Sequence, residues 1–405
     1  ATKTIDVNVI EKDKNAPGFA KETMDASIGR FSEISLKNMD NAKVVEDPES
    51  DNPDVVTIHA EERYNYETEE DEIHYYLEPK SKGTANITMS FKADGMTYSD
   101  TITVNVGTDD SIVPVTDYEL YQAMICDWDD RDKTDCIKKT DTDKIKTIER
   151  RNGDFTNLSG VEYATECTWI NLSNCRNLKD ISQLSKLTKL KTVDLSYTGV
   201  SDISALENVK DQLTTLYLKG SKVSAADRLS FIKNDEKITV EAGAQKEVTI
   251  KPAKILDKSD VCTIEGDDSI KVTNKGNGKI NIDARESEGS KTCTLIITNK
   301  KAADQKVEIP VEIKKASAKA PGFAKEAEDL YIGNLSEVKY KNASSINQVT
   351  LSSKNKNIVN IAETYNGGEY HYEPKNEGTT QIEGTFKKSD GTIYKDTITV
   401  TVKKA

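Results

Sequence analysis

The chain contains one segment twice, once towards each end. The heptapeptide APGFAKE occupies Ala16–Glu22 and recurs at Ala320–Glu326. Matching stretches follow each copy: SIGRFSEISLKN corresponds to YIGNLSEVKYKN, and DGMTYSDTITVNV corresponds to DGTIYKDTITVTV. A duplication this long indicates two copies of one domain, so the heptapeptide marks the same opening position in both. We call residues 16–106 copy 1 and residues 320–402 copy 2.

Both copies have the residue pattern of β-strands. The stretches ITMSF (Ile87–Phe91) and TITVNV (Thr101–Val106) alternate apolar and polar residues, which is the period of a half-buried strand. The DG pair between strand-like runs is a hairpin signal. Several short strands with such spacing predict a β-sandwich. A third stretch, from Lys237 to Lys315, follows the same rhythm.

Between Gly107 and Glu236 this rhythm stops. The stretch from Val115 to Ile125 predicts a helix, with Thr116 as N-cap, Glu119 completing a capping box, and Val115 stapled onto Leu120.

After the predicted helix, leucines recur with a fixed period. Leu172, Leu195 and Leu218 are 23 residues apart, which is the spacing of leucine-rich repeats. The period predicts parallel strands at 169–171, 192–194 and 215–217. An earlier stretch from Ile145 to Glu166 fits a degenerate first repeat, in which Arg150 occupies a leucine position. We call each of these repeat units a repeat line.

Two family resemblances follow from these phrases. GTANIT and TITVNV resemble bacterial Ig-like domains, and GSKTCTLIIT in the third stretch resembles them more loosely. LSGVEYAT and VSDISAL resemble the internalin-type leucine-rich repeats of Gram-positive surface proteins, which place a short helical cap before the repeats. The resemblance implies a multidomain, mainly β protein: three Ig-like β-sandwiches plus a short leucine-rich repeat solenoid with a helical N-terminal cap.

The expected domains can be placed along the chain. They are an Ig-like domain at 15–107, the helical cap with about four repeats at 108–235, and Ig-like domains at 236–315 and 316–405. Residues 1–14 are either the last strand of an upstream Ig-like domain or the first strand of the next one, and the sequence leaves both readings open.

The repeat register predicts which side chains face outward on the concave side. Because aromatic side chains dominate binding hot spots, Trp169 and Tyr217 are the most informative of these residues. The alternative is that Trp169 packs beneath the cap or a neighbouring domain. The candidate ligand-binding residues are Trp169, Asn171, Thr192, Asp194, Thr215, Tyr217 and Lys219.

The six cysteines favour structural roles. Cys262 and Cys293 fall at core-facing strand positions, so a disulfide between them is one expectation and two buried thiols the other. Cys126 and Cys136 bracket an acidic loop and are a second candidate pair. No C-x-x-C occurs, and the three histidines lie near no cysteine, which argues against zinc.

The acidic loop DWDDRDKTD (Asp127–Asp135) invites a calcium interpretation. Counting from Asp127, the sixth and twelfth residues are Asp132 and Lys138, where an EF-hand needs Gly and Glu. A solvated loop is therefore expected, and no metal site or cofactor is predicted.

Composition narrows the function. The formal net charge of −13 disfavours nucleic acid as a partner, and no apolar run approaches the length that spans a membrane. Sequence signatures of hydrolases, zinc proteases and P-loops are missing, so no enzyme activity and no catalytic residue is expected. The resemblances imply an extracellular or cell-surface protein of a Gram-positive-type bacterium that binds an unknown extracellular protein or glycan. Alternatives are a structural stalk segment of a larger surface protein or an accessory region of a secreted carbohydrate-active enzyme.

Overall fold

A computed structural model describes residues 14–66, 69–128, 135–364 and 369–404. Residues 1–13, which belong to the segment expected to form a strand, and most of the acidic loop lie outside the described residues. The fold is mainly β, as the sequence predicted. By its internal contacts the chain divides into two units, one of residues 1–213 and 219–222 and one of residues 214–218 and 223–405.

Among its described residues, the first unit contains one α-helix, several 3-10 turns and short to medium strands. Its strands are β1 (Gly18–Phe19), β2 (Thr23–Ser27), β3 (Leu36–Lys37), β4 (Ala42–Ser50), β5 (Val56–Asn65), β6 (Glu70–Pro79), β7 (Gly83–Ala93), β8 (Met96–Gly107), β9 (Thr147–Glu149), β10 (Trp169–Asn171) and β11 (Thr192–Asp194). Its helix is α1 (Tyr118–Met124), and its 3-10 helices are Lys139–Lys144, Val161–Tyr163, Ser182–Lys186 and Ser204–Val209.

Copy 1 is built from two layers. One sheet has the order β2-β8-β7-β4, and the other is the long β5–β6 hairpin. Alternate residues of β7 and β8, including Ile87, Phe91 and Val104, point into a core that Val56 and Leu77 close from the hairpin side. The period-2 pattern of the sequence thus places its apolar face between the layers.

The duplicated heptapeptide makes the same contacts in each copy. In copy 1 the Phe19 amide donates to Asp100 Oδ2 at 2.9 Å, and in copy 2 the Phe323 amide donates to Asp396 Oδ2 at 3.0 Å. Asn38 donates its side-chain amide to the carbonyl oxygens of Lys14 and Ala16, at 3.1 and 2.9 Å. The segment is therefore a structural device that fixes the start of each copy.

Buried aromatic rings connect copy 1 to α1. Tyr76 stacks on Tyr118 with ring centroids 4.8 Å apart, and Phe31 lies 5.0 Å from Tyr121. His59 adds a tilted contact with Tyr118 at 4.7 Å. The Tyr118 amide also donates to Glu78 Oε1 at 2.9 Å. Because Phe31, Tyr118 and Tyr121 are at most 3% exposed, this joint is a packed core rather than a loose linker.

The start of α1 differs from the prediction. The N-cap is Asp117, whose carboxylate accepts from the Leu120 amide at 2.9 Å, and not Thr116. Glu119 does not close a capping box, since its two oxygens bind Arg150 Nη2 and the Asp154 amide, each at 2.7 Å. A tertiary ion pair to the first repeat line therefore replaces the expected local hydrogen bond.

The second unit is also dominated by strands. They are β12 (Thr215–Tyr217), β13 (Ile238–Glu241), β14 (Ala244–Thr249), β15 (Val261–Glu265), β16 (Lys271–Gly276), β17 (Lys279–Asp283), β18 (Lys291–Asn299), β19 (Ala302–Lys314), β20 (Gly322–Phe323), β21 (Ala327–Tyr331), β22 (Ser336–Glu337), β23 (Tyr340–Lys341), β24 (Ile346–Ser353), β25 (Val359–Glu363), β26 (Tyr370–Pro374), β27 (Gly378–Lys388) and β28 (Ile393–Lys403). The helices are α2 (Ala225–Ser230) and a 3-10 turn at Ala343–Ser345.

A single sheet runs through the intervening β region (residues 238–314) and copy 2. Its order is β16-β17-β14-β28-β27-β24, because Ala244 and Gln245 of β14 pair with Tyr394 and Ile393 of β28. Tyr394 also donates its hydroxyl to Glu241 at 2.8 Å. Ala244 is fully buried in the core of copy 2, so the two β structures share backbone hydrogen bonds and apolar packing.

A buried ion pair attaches α2 to the intervening β region. Arg228 makes a two-pronged contact with Asp260, at 2.8 and 2.6 Å, and also donates to the Ile255 carbonyl. Asn299 and the Asp257 amide supply further hydrogen bonds to the same carboxylate. The Asp260 side chain is inaccessible to solvent, so all of its partners come from the protein.

The predicted Cys262–Cys293 disulfide is wrong. The two residues lie on neighbouring strands of one sheet, where Cys262 is opposite Ile297 and Cys293 is opposite Val311. Cys262 is therefore displaced along β18 by four residues from Cys293, about 13 Å at the rise of a strand, which is too far for a bridge. Cys126 and Cys136 are not joined to each other either.

Candidate functional site

The repeat lines place the predicted binding residues in two columns. β9, β10 and β11 are parallel and in register: Trp169 lies beside Thr147 and Thr192, and Asn171 lies beside Glu149 and Asp194. Neighbouring strands of a sheet are about 4.8 Å apart, so each column is a compact row of side chains. The parallel strands predicted at 169–171 and 192–194 are confirmed at those bounds.

Between the columns, apolar residues point to the opposite side. Ile148, Ile170 and Val193 are completely buried at the centres of their strands. This alternation is what directs the Trp169 and Thr192 side chains to the other face of the sheet. The leucines of the 23-residue period, Leu172 and Leu195, are buried as well.

In the second column, the side chains of Asn171 and Asp194 are used mainly in hydrogen bonds within the protein. Asn171 is only 5% exposed, accepts from the Ser173 amide at 3.1 Å and donates to Glu149 at 3.4 Å. Asp194 accepts from the Ser196 amide at 2.8 Å. Both residues thus close the turn that follows their strand. Asp194 remains partly exposed, whereas Asn171 offers little surface to a ligand.

The first column is more accessible. Trp169 and Thr192 are both partly exposed and adjacent. Glu149, at the lower end of the second column, forms an ion pair with Arg151 at 3.0 Å. An indole beside hydroxyl and charged groups suits a flat polar ligand, because aromatic faces bury area with little entropy loss.

The remaining predicted residues lie on or beside the next repeat line. β12 has the predicted bounds, and its Thr215 and Tyr217 are partly exposed. The Lys254 ammonium group lies 5.9 Å from the centre of the Tyr217 ring, which is a cation–π contact. Lys219, in the first unit, is exposed and lies 5.8 Å from the Tyr197 ring.

Tyr197 is an exposed aromatic residue that the sequence analysis did not select as a candidate binding residue. It is 43% exposed and has a left-handed backbone conformation, with φ of +58°. Its ring occupies the space beside Gly220, where an added Cβ would lie 2.4 Å from Tyr197 Cδ1. The signal in the sequence was the pairing of this tyrosine with a glycine one repeat later, which the strand register alone does not indicate.

The cysteines lie in environments that suppress thiolate chemistry. Burial raises the pKa of Cys167 to about 12 and that of Cys175 to about 11. Their thiols contact the carbonyl oxygens of Trp169 and Arg150, at 3.3 Å each. Both thiols are therefore protonated at neutral pH and serve as core side chains of the repeat lines.

The described part of the chain contains no candidate metal site. Within residues 14–66, 69–128, 135–364 and 369–404, no group of three or more His, Cys, Asp or Glu side chains is arranged to hold an ion. Residues 129–134 of the acidic loop Asp127–Asp135 lie outside that part of the chain. In the same described ranges, no helix has both the length and the apolarity to cross a membrane.

Comparisons with known proteins give distant likenesses only. No protein-family description and no curated protein matches the chain. An internalin C2 of Listeria monocytogenes is 22% identical with a TM-score of 0.22, over 28% of this chain and 60% of its own. The Ig1-2 module of a Drosophila receptor protein tyrosine phosphatase is 12% identical with a TM-score of 0.20, over 42% and 96%. An endo-fucoidan hydrolase of glycoside hydrolase family 107 is 8% identical with a TM-score of 0.18, over 96% and 44%. At TM-scores this low, the likenesses carry no argument about activity.

Proposed function

We propose that this chain is a non-enzymatic binding segment of a secreted or surface-exposed bacterial protein. In this proposal the four repeat lines form a short internalin-like leucine-rich repeat solenoid, and their outward face contacts an extracellular protein or glycan. The two copies and the intervening β region serve as Ig-like domains that hold this face away from the cell. The observation that carries the proposal is the in-register row containing Trp169 and Thr192.

The row has the chemistry of a small contact surface. An aromatic ring with a neighbouring hydroxyl combines apolar area and directional hydrogen bonding, as binding hot spots do. Its area is limited because only a few repeat lines contribute. Useful affinity would then come from display of many molecules on one surface.

The test begins with a screen of glycans and extracellular proteins against the intact chain. Trp169→Ala combined with Tyr217→Ala should weaken any specific ligand by about tenfold or more, since one hot-spot residue is worth about 2 kcal/mol. Tyr331→Ala is the matched control, because Tyr331 is 45% exposed on β21 of copy 2. Binding that survives the double substitution in a folded protein would contradict the proposal.

That contradicting outcome would favour a purely structural segment. The buried aromatic joint between copy 1 and α1 and the shared sheet of the second unit are specific observations in favour of a stiff spacer. An accessory role in a secreted carbohydrate-active enzyme would show instead as glycan binding that survives the double substitution.

A further inference from the structure

Copy 1 contains a groove whose features are not repeated in copy 2. It has a volume of about 1130 Å³ and lies between β4, at the edge of one sheet, and the outer half of β6. Leu36, Met39, Val44 and Tyr75 supply apolar side chains along its length. The apolar lining distinguishes it from a simple gap between charged loops.

The groove is strongly acidic. Its six carboxylates are Glu46, Asp47 and Glu49 from β4 and Glu70, Asp71 and Glu72 from β6, against the single positive charge of Lys43. All six are exposed, and none forms an ion pair with a described residue. A nearby carboxylate of the same copy behaves differently, because Glu61 pairs with Arg63 at 2.6 Å. Carboxylates concentrated on two facing walls repel one another and create a negative potential that a cationic partner would relieve.

Copy 2 shows that this acidity is not a requirement of the fold. Val44 lies opposite Phe91 as Val349 lies opposite Phe386, so the two edge strands can be aligned by register. Glu46, opposite Ser90, then corresponds to Thr350, opposite Thr385. Glu49 corresponds to Ser352 in the same way.

The two copies also differ in the hairpin that forms the other wall. Strands β25 and β26 of copy 2 have five residues each, against ten in β5 and β6 of copy 1. In copy 2 the Tyr370 hydroxyl donates to the Val349 carbonyl at 3.1 Å, which ties the hairpin to the edge strand. The charged, elongated wall is therefore an addition to copy 1.

We propose that this groove binds an extended Lys- or Arg-rich segment of a partner protein, with apolar side chains between its cations. The cations would face the two carboxylate walls, and the apolar side chains would cover the floor. Ile73 and Val45, which are 56% and 41% exposed at the rim, provide further apolar contact area. A small metal ion would fit the site less well, because the apolar floor offers it no ligand.

Recognition would depend on side chains rather than on strand addition. Pro48 lies within β4 and lacks an amide hydrogen, and the pairing of β4 with β7 is interrupted twice, around Glu46 and Glu49. Such features prevent an edge strand from accepting another strand in regular register. This inference goes beyond the proposed function, because it gives copy 1 a binding role of its own in addition to that of a spacer.

The experiment uses the intact chain and two short fluorescein-labelled peptides, one alternating Lys and Leu and one alternating Lys and Ser. Fluorescence anisotropy should show tighter binding of the Lys–Leu peptide, and affinity should fall as salt is added. Glu46→Thr with Glu49→Ser, the residues that copy 2 carries, should weaken binding about tenfold, because two exposed charge pairs with the peptide are lost. Ile73→Ser should reduce the preference for Lys–Leu over Lys–Ser.

The control removes the same charge elsewhere. Glu265→Thr with Glu308→Ser alters two exposed carboxylates of the intervening β region and should leave peptide binding unchanged. Equal weakening by both double variants would overturn the proposal, since it would indicate non-specific attraction. Calcium binding by calorimetry that the groove variant abolishes, with unchanged peptide anisotropy, would overturn it in favour of an ion site. The Trp169→Ala, Tyr217→Ala variant should retain full peptide binding, which separates this proposal from that of the repeat face.

Discussion

Gly18 shows at the scale of one residue why the heptapeptide is duplicated. A Cβ at this position would lie 2.2 Å from Asp100 Oδ2, the atom that accepts the Phe19 amide. Gly322 stands in the same relation to Asp396, at 2.3 Å. The glycine leaves room for the carboxylate, and the carboxylate fixes the buried phenylalanine that follows.

Gly18→Ala should therefore lower the free energy of unfolding by about 2 kcal/mol, through overpacking and loss of the amide hydrogen bond. Urea unfolding would measure it. Gly107→Ala is the control, because its new methyl group would meet only the Ala26 carbonyl at 3.9 Å. Similar losses in the two variants would show that the Asp100 contact is not the cause.

Asp117 makes the joint between copy 1 and α1 sensitive to pH. Burial raises its pKa from 3.8 to about 6, with Glu78 and Glu119 adding to the effect and the Leu120 hydrogen bond opposing it. A pKa that is higher in the folded state means that protonation favours folding. The contribution of Asp117 to stability is thus complete below about pH 4 and is lost as the pH rises through 6.

Asp117→Asn should consequently stabilise the protein at pH 8 by about 1–3 kcal/mol and give no gain at pH 4. Asparagine preserves the N-cap hydrogen bond, whereas Asp117→Ala removes it and should cost about 1 kcal/mol at pH 4. Thermal unfolding between these pH values would measure the difference from the native chain. An Asp117→Asn difference that is the same at both pH values would rule out the shifted carboxyl as its source.

The residue scale is also where prediction from the sequence was least accurate. Thr116 and Asp117 are both good N-caps, and Glu119, which was expected to close a capping box, binds Arg150 of the first repeat line instead. The Cys262–Cys293 prediction assumed that the two cysteines lie on strands that face each other across the core. The strands are instead neighbours in one sheet, and Cys262 lies opposite Ile297, four residues along β18 from Cys293. In both cases the deciding contact is tertiary and leaves no local pattern.

Helix α2 illustrates stabilisation at the scale of an element. It has six residues, too short to be stable alone, and its Arg228 binds the buried carboxylate of Asp260. Ser224 caps its first turn through the Asp227 amide at 3.0 Å. The helix therefore owes its place to one ion pair and to the buried Leu229.

Arg228→Met should lower the free energy of unfolding by about 3–5 kcal/mol, because it leaves a buried charge without its main partner. Lys279→Met breaks an ion pair with Glu247 whose two side chains are half exposed, and should cost less than about 1 kcal/mol. Chemical unfolding monitored by circular dichroism would compare the two. A small loss for Arg228→Met would mean that the Asn299 and Asp257 hydrogen bonds suffice for Asp260.

Elements with a strict period were predicted well. The alternation in TITVNV and the 23-residue leucine spacing correspond to observed strands, including β10, β11 and β12 at the expected bounds. The acidic groove could not be predicted, because it depends on two irregularities in the pairing of β4 and on the length of the β5–β6 hairpin. The same period predicted an outward-facing Asn171. Its side chain is buried instead, because it forms hydrogen bonds with Ser173 and Glu149.

For the molecule as a whole, the duplication and the change of rhythm predicted a modular, mainly β chain. The joints were not foreseen. One is an aromatic cluster around Tyr118, and the other is a sheet shared by the intervening β region and copy 2. Contacts between modules combine residues that are far apart in sequence, so no repeat pattern signals them.

The shared sheet predicts coupled stability across the second unit. Tyr394→Ala should raise the hydrogen exchange of β14 amides although the substitution lies in copy 2, because Tyr394 pairs with Ala244 and binds Glu241. Mass spectrometry of peptides covering Ala244–Thr249 would detect this. Tyr98→Ala, at the equivalent position of copy 1, should leave that exchange unchanged, and an effect confined to β28 would contradict the coupling.

The parallel pairing of an early strand with the last strand of each β structure has a mechanical consequence. In each β structure a strand near its start runs parallel to its closing strand: β2 with β8, β13 with β19, and β21 with β28. A pull on the chain at both ends of such a structure drags the two strands in opposite directions along their length. The hydrogen bonds between them are then loaded together, in shear, and cannot be unzipped one at a time. A chain tethered at one end and gripped at the other would resist extension until the whole row gives way at once.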